Sequence, residues 1–202
     1  MPDTLSMLYL LVLQLCQFYL FILVMRFAMH FARADFYNPL VQSIIKATDW
    51  LVAPLQKIIR PGRRIDPATL IAAVLFGAIT TAIISKIVFA EQALSIPGLF
   101  LAGVLGAAYT LLQMYMLAII ALVIMSWIAP RPSHPAPLLI AQITYPIIAP
   151  LQRIIPPIGG MIDLSPLVAF FGITIAKIGI NSITNLPIVK TIISNLIIVG
   201  LQ

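Results

Sequence analysis

The sequence predicts an all-α integral membrane protein with four transmembrane helices, arranged as two parallel tandem helical hairpins with amphipathic, interfacial cytoplasmic connections. Hydrophobic residues make up 61% of the 202 residues and charged residues only 9%, too little polar surface to cover a water-soluble globule. The apolar residues fall into four runs, each near or above the roughly 20 residues that cross a bilayer. A pattern in the first half also recurs in the second. These observations together define the expected fold.

The first span is expected over residues 5–29, where only Gln14, Gln17 and Arg26 interrupt a long apolar run. The chain starts with an acidic, cation-free segment and lacks the basic region and small-residue cleavage site of a signal peptide. We therefore expect the first helix to remain uncleaved.

The other spans follow from helix-start patterns and apolar length. The second is expected over residues 67–89, with Asp66 as the N-cap and a proline at the first helical position. The third, residues 99–128, would be roughly 45 Å long at 1.5 Å per residue, so it should tilt or protrude. The fourth is expected over residues 165–186, with Ser165 as its cap. The apolar tail after it is too short to span comfortably, so it could lie in the interface or pack on a neighbour.

The two halves of the chain align at an offset of 96 residues. The sequence from Ala53 to Pro61 matches residues 149–157, and one inserted residue later an aspartate again falls on an aspartate. This predicts a first repeat over residues 5–90, a second over 99–186 and a tail over 187–202, with a pseudo-twofold axis along the membrane normal. The shared positions are Pro39, Pro54, Leu55, Pro61 and Asp66 in the first copy and Pro135, Pro150, Leu151, Pro157 and Asp163 in the second.

The distribution of positive charge predicts the orientation. Seven Lys and Arg residues lie between Arg26 and Arg64, whereas the next connection holds only Lys86. The first connection is therefore expected in the cytoplasm and, with four spans, both termini outside, in the periplasm of a bacterial inner membrane.

Polar residues recur at helical spacing in the first connection, which predicts an amphipathic helix in the headgroup plane, a depth that suits Trp50. The second connection is more apolar and richer in proline, so it could be interfacial or re-entrant. A net charge of +6 without aromatic interleaving favours anionic lipid over nucleic acid. Candidate residues for binding lipid or a partner are Lys57, Arg60, Arg63, Arg64 and Arg153.

The repeated segments, with Asn38-Pro39, residues 57–61 and Asp66-Pro67 in the first copy, resemble the YggT family. The second copy departs from the first by His134 in place of Asn38 and a proline in place of Arg60. The resemblance implies repeated membrane hairpins and links to osmotic-stress tolerance, cation uptake and cell division; plastid relatives are factors for cytochrome b6f haem attachment or nucleoid distribution. It implies no catalytic residue set.

A second candidate site lies within the spans. Lys177 falls near the middle of the fourth span, where an ammonium group costs several kcal/mol unless it is partnered or hydrated. With Asn181 it forms a polar stripe that could meet Gln14, Gln17 and Gln113 in a hydrated path or small-solute site. Alternatively, Lys177 snorkels outward and the amides join the helices.

Two functions remain open at this stage. The sequence contains no phosphate-binding loop, zinc-protease motif or nucleophile elbow, so we expect no enzyme and no cofactor or metal. The favoured hypothesis is a membrane scaffold or assembly or stress-tolerance factor that recruits lipids, other membrane proteins or cell-division proteins. The alternative is a small channel or transporter for ions or solutes, and either form could be a homo-oligomer.

Overall fold

The computed structural model describes residues 4–88, 95–128, 134–155, 163–193 and 196–201. Within these ranges the chain forms seven α-helices and no strand, which confirms the all-helical prediction. The helices are α1 (Thr4–Ala32), α2 (Pro39–Ile58), α3 (Pro67–Val88), α4 (Ile96–Ile128), α5 (Pro135–Ile154), α6 (Ser165–Thr184) and α7 (Pro187–Ile193).

Four of the helices, α1, α3, α4 and α6, are long and apolar enough to cross a membrane. They coincide with the four predicted spans, and their ends differ from the prediction by a few residues. The third begins earlier, at Ile96, and the fourth ends earlier, at Thr184, because Pro187 starts a separate short helix. The chain is thus a multi-pass membrane protein.

The first three helices contact one another, as do α4, α5 and α6. The two sets meet where α3 packs along α4 and where α1 packs on α4 and α5. In the repeat α1 corresponds to α4 and α3 corresponds to α6, so an exact twofold relation would match the α3–α4 contact with one between α6 and α1. No contact joins α6 and α1 within the described ranges. The bundle is therefore closed on one side and open on the other.

Glycines allow a close approach between α3 and α4. A β-carbon at Gly77 would come within 3.4 Å of the Cα of Gly103. Small residues bring membrane helices close enough for backbone-to-backbone packing. The residues buried around this contact include Ala72, Ala73 and Ala107, which continue the same small-residue surface.

The segment after α7 packs back into the bundle, which answers the question that the sequence left open. The amide of Ile197 donates to Oγ of Ser85 over 3.0 Å, and the amide of Val199 donates to Oγ1 of Thr81 over 3.3 Å. Val199 is fully buried, and a β-carbon at Gly106 of α4 would collide with its carbonyl oxygen. The segment therefore lies in a groove between α3 and α4.

This segment, residues 196–201, reaches far along α4. Gly200 adopts a positive φ of 100°, and a β-carbon there would collide with the hydroxyl of Thr110. Thr110 is about 21 Å from Ile96 along the helix axis at 1.5 Å per residue. Non-helical backbone is tolerated at membrane depth only where the protein satisfies its polar groups. Here the hydroxyls of Ser85 and Thr81 in α3 accept hydrogen bonds from the amides of Ile197 and Val199.

Candidate functional site

The repeated glutamine and aspartate of the two copies form the same hydrogen bond. Nε2 of Gln56 donates to Oδ2 of Asp66 over 2.7 Å, and Nε2 of Gln152 donates to Oδ2 of Asp163 over the same distance. Each bond joins a connecting helix to the start of the span that follows it. This gives the repeated segment a structural role that the sequence did not assign to the glutamine.

Both aspartates also bond to the first turn of the next span. Asp66 accepts from the amide and the hydroxyl of Thr69, as an N-cap residue does. In the second copy the expected cap was Ser165, but Ser165 is already helical and its buried hydroxyl has no hydrogen-bond partner within the described residues. Oδ1 of Asp163 instead accepts from the Ser165 amide over 2.8 Å.

These bonds affect the ionisation of Asp163. Partial burial alone would raise the pKa of its carboxyl group, but the hydrogen bonds from Gln152 and from the Ser165 amide favour the charged form, so the pKa is lowered. The carboxylate is thus held in its ionised form at the start of α6.

The remaining shared positions shape the connecting helices α2 and α5. In each of them a proline occupies the first position, another proline lies four residues before the helix end, and the leucine after it packs against the core; α5 has further prolines at 137 and 146. The N-cap residues are Asn38 and His134, which accept from the amides two positions later. The pairs are Pro39 with Pro135, Pro54 with Pro150 and Leu55 with Leu151; Pro61 lies in the loop after α2, and Pro157 lies outside the described residues.

A buried arginine joins α1 to α2 in the first copy. Arg26 is only 8% exposed, and its Nη1 donates to Thr48 and to Asp49, each over 2.8 Å. The contact with Asp49 is an ion pair whose carboxylate side chain is 49% exposed. Sequence reasoning used Arg26 only as a topology signal and missed this role.

The second copy lacks this arginine network. At the offset of 96 residues, Leu122 takes the place of Arg26 and Tyr145 the place of Asp49. Thr144 nevertheless keeps the hydrogen bonds to the preceding turn that Thr48 makes. The two copies are therefore alike at their helix junctions and different where α1 and α4 meet the connecting helices.

The linker between α1 and α2 joins the two copies to each other. The amide of Asp35 donates to Oε1 of Gln142 over 3.0 Å, and Nδ2 of Asn38 donates to the carbonyl oxygen of Pro135 over 2.8 Å. We call this end of the bundle, which carries α2 and α5, the basic end.

The predicted lipid- and partner-binding cations fall into three groups at the basic end. Arg63 lines a cavity of about 240 Å³ together with Arg26 and Asp66. Arg64 and Arg153 line a second cavity of about 380 Å³. The side chains of Lys57 and Arg60 are exposed and line neither of these cavities.

Arg33 lines both cavities, although sequence reasoning counted it only among the cations of the first connection. It follows α1 with a positive φ of 53°. Its amide bonds to the carbonyl of His30, and the amide of Ala34 bonds to the carbonyl of Met29, which together form a Schellman motif. This position normally holds glycine, because the left-handed conformation is unfavourable for a residue with a β-carbon, as Arg33 has.

The predicted polar residues of the spans are brought together in part. Nζ of Lys177 donates to Oε1 of Gln113 and lies 4.7 Å from the centre of the Tyr109 ring, a cation–π contact. Lys177 is thus partnered inside the bundle, which is not the snorkelling arrangement.

A cavity of about 340 Å³ lies beside this pair, between the middle parts of α1 and α4. Gln14, Gln17, Thr110 and Gln113 line it, and Nε2 of Gln17 is buried without a hydrogen-bond partner among the described residues. Asn181 lies elsewhere, in a separate cavity beside the residues 196–201. The expected single stripe is therefore divided between two places.

The comparisons with known proteins agree with the repeat. A sequence profile described as CCB3/YggT matches residues 5–87 and again residues 101–184. An uncharacterised Pseudomonas aeruginosa protein is 35% identical over 155 residues, which cover 77% of this chain and 78% of that protein. The Escherichia coli K12 protein named YggT is 29% identical over 167 residues, covering 83% and 85% of the two chains. A Vibrio alginolyticus protein is 35% identical over 160 residues, covering 79% and 85%. No solved structure matches the chain.

Proposed function

Because the chain belongs to the CCB3/YggT family, we propose that it is a non-enzymatic scaffold or assembly factor of the bacterial inner membrane. It recruits anionic lipids or partner proteins through the basic end of the bundle. In this proposal α2 and α5 are interfacial helices on the cytoplasmic side, and the two hairpins run parallel with both termini outside.

The observation that carries the proposal is the gathering of cations where the two copies join. Arg33, Arg64 and Arg153 come from three different segments yet line one cavity. At this end, within the described ranges, Arg26 pairs with Asp49, and Arg33, Arg64 and Arg153 have no carboxylate partner. The other cations at this end thus have their charge available for an external anionic group.

The exposure of aromatic side chains supports the interfacial position of α2. Trp50, in the middle of the amphipathic helix α2, is 67% exposed. Tryptophan is enriched at the membrane–water interface, where an apolar ring and a polar N–H are both accommodated. Phe36 and Tyr37, just before α2, are also exposed.

The proposal is tested by neutralising the cations in the full chain, with Lys57, Arg60, Arg63 and Arg64 each changed to Gln. The variant and the wild type are purified in mild detergent, and the lipids and proteins that accompany them are identified by mass spectrometry. We expect the variant to lose anionic lipids and specific partner proteins. A Lys190→Gln variant, changed at the opposite end of the bundle, controls for a general effect of charge. Unchanged lipids and partners in the fourfold variant would contradict the proposal.

A second candidate function is a small channel or transporter, and one observation favours it. The amide-lined cavity beside the Lys177–Gln113 pair offers hydrogen-bonding groups near the middle of the bundle. Polar groups at this depth are typical of solute and ion pathways. Chain reconstituted in liposomes would then pass monovalent cations or small polar solutes, and Lys177→Met would change the rate. Flux equal to that of protein-free liposomes would exclude this function for the solutes tested.

A further inference from the structure

We propose that the cavity between Arg33, Arg64 and Arg153 is a discrete site for the phosphate group of one anionic phospholipid. We call it the three-arginine site. The inference rests on the proposed lipid-recruiting function. It assigns the binding of one lipid to a single site instead of to the whole basic end. It also assigns a role to Arg33, which is not among the cations that the sequence selected.

The charge of the site comes from three separate elements. Arg33 follows α1, Arg64 lies in the loop between α2 and α3, and Arg153 belongs to the last turn of α5. Among the described residues that line the cavity none is a carboxylate, and all three arginine side chains are exposed. Guanidinium groups bind phosphate oxygens through paired, charge-assisted hydrogen bonds. The arrangement therefore favours an anion with several oxygen atoms.

The rest of the lining favours a lipid over a free phosphate ion. The lining residues other than the arginines, which we call the apolar wall of the cavity, are Phe31, Ala32, Tyr145, Pro146, Ala149 and Pro150. Tyr145 is 66% exposed, and tyrosine is enriched at the level of the headgroups. An apolar wall beside a cationic wall matches the point where a phospholipid headgroup meets its acyl chains. A soluble phosphate ion would gain nothing from that apolar wall.

The backbone at Arg33 supports a functional reason for this side chain. In a left-handed conformation the β-carbon of an L-residue crowds the following carbonyl, so glycine would be the more stable choice at this position. Residues held in such conformations cluster at binding and catalytic sites. We infer that the side chain of Arg33 is retained for its charge between the two cavities.

A bound headgroup would also connect the two copies of the repeat. Arg33 and Arg64 belong to the first copy, whereas Arg153 belongs to the second. A ligand that binds only the folded chain raises its stability in a saturable way. Phosphatidylglycerol should therefore act as a stoichiometric stabiliser of the bundle, beyond the general effect of a membrane.

The experiment uses the full chain in neutral detergent and titrates it with phosphatidylglycerol or with phosphatidylcholine. Native mass spectrometry gives the number of lipids bound, and thermal unfolding gives the apparent affinity. We expect one phosphatidylglycerol per chain to bind in preference to phosphatidylcholine. Arg64→Gln with Arg153→Gln should weaken it by at least about tenfold, because two charge-assisted contacts are lost. Lys46→Gln with Lys190→Gln removes the same charge away from the cavity and should change the affinity by less than about twofold.

Arg33→Gly separates binding from folding. Glycine suits the left-handed position, so this variant should unfold at the same or a higher temperature without lipid, while its affinity for phosphatidylglycerol falls severalfold. If the variant keeps full affinity, Arg33 has no part in the site and the three-arginine assignment is wrong.

The remaining outcomes separate the inference from the proposed function. If both double variants weaken binding equally, the attraction is diffuse; the three-arginine site is overturned and lipid recruitment stands. If inorganic phosphate stabilises the wild type as well as phosphatidylglycerol does, with the same dependence on Arg64 and Arg153, the assignment to a lipid is overturned. If the wild type does not distinguish phosphatidylglycerol from phosphatidylcholine, both the site and the lipid-recruiting function fail.

Discussion

Replacing Arg26 by leucine would test how far the first copy depends on its buried arginine. Leucine occupies the aligned position 122, so the variant gives the first copy the same residue that the second copy has there. The substitution removes the contacts to Thr48 and Asp49 and leaves an apolar side chain between α1 and α2. We expect Arg26→Leu to fold with reduced stability.

The magnitude follows from what each partner does once the guanidinium is gone. Hydrogen bonds to a charged group contribute about 1.5–3 kcal/mol each. Oγ1 of Thr48 still donates to the carbonyl oxygen of Ile44, and the side chain of Asp49 is 49% exposed, so water can solvate it. Arg26 also donates to the carbonyl of Ile45, which still accepts from Thr48, and to Oε1 of Gln56, which is only partly buried. No partner is left buried and unsatisfied, so the free energy of unfolding should fall by about 2–3 kcal/mol, less than for breaking a fully buried pair.

The free energy of unfolding would be measured in mixed micelles with increasing SDS, followed by circular dichroism. The double variant Arg26→Leu with Asp49→Tyr reproduces the pair Leu122 and Tyr145 of the second copy. It should regain part of the loss, because no carboxylate then remains without its cation. A change below about 0.5 kcal/mol for Arg26→Leu would refute the view that this network stabilises the first copy.

Three further predictions concern the tail, the second-copy aspartate and the depth of α2. Gly106→Val should lower the free energy of unfolding by about 1–3 kcal/mol because its side chain displaces the residues 196–201; Gly172→Val, where a β-carbon meets open space, is the matched control, and equal losses would contradict the packing of the tail. The lowered pKa of Asp163 stabilises the fold above the ordinary aspartate pKa of 3.8, and this contribution should disappear as the pH falls through the folded-state pKa below that value; Asp163→Asn should flatten this part of the pH–stability curve, and an unaltered curve would refute it. In a Trp127→Phe background, brominated lipids labelled near the headgroup should quench Trp50 more than lipids labelled near the chain end, and the reverse order would contradict an interfacial α2.

The sequence was sufficient for the spans because apolar length and cap patterns are local signals. Asp66 and its following proline mark the start of α3 as predicted. At α6 both Ser165 and Asp163 suit the role of a cap by sequence, and only the backbone geometry shows that Asp163 accepts from the first helical amide. Local pattern therefore predicts that a helix starts, and is less decisive about which side chain caps it.

The contacts between distant segments could not be predicted in the same way. A glutamine in the repeated segment 53–61 does not by itself show that it will meet an aspartate at the start of the next helix, as Gln56 and Asp66 do. The repeat itself suggested that α6 should pack on α1 as α3 packs on α4, but these helices do not touch in the described structure. Hydropathy of the tail was equally ambiguous, because an apolar segment is suited to lipid and to a protein groove alike.

The position of the residues 196–201 has a consequence for biosynthesis. The chain emerges from the ribosome in order, so α3 and α4 are inserted well before the tail that fills the groove between them is made. Until then Thr81, Ser85 and the surface around Gly106 lack the partners seen in the folded chain. The bundle can therefore be completed only after α6 has crossed the membrane, and a nascent chain arrested between α4 and α7 would expose this groove to lipid or to an insertion factor.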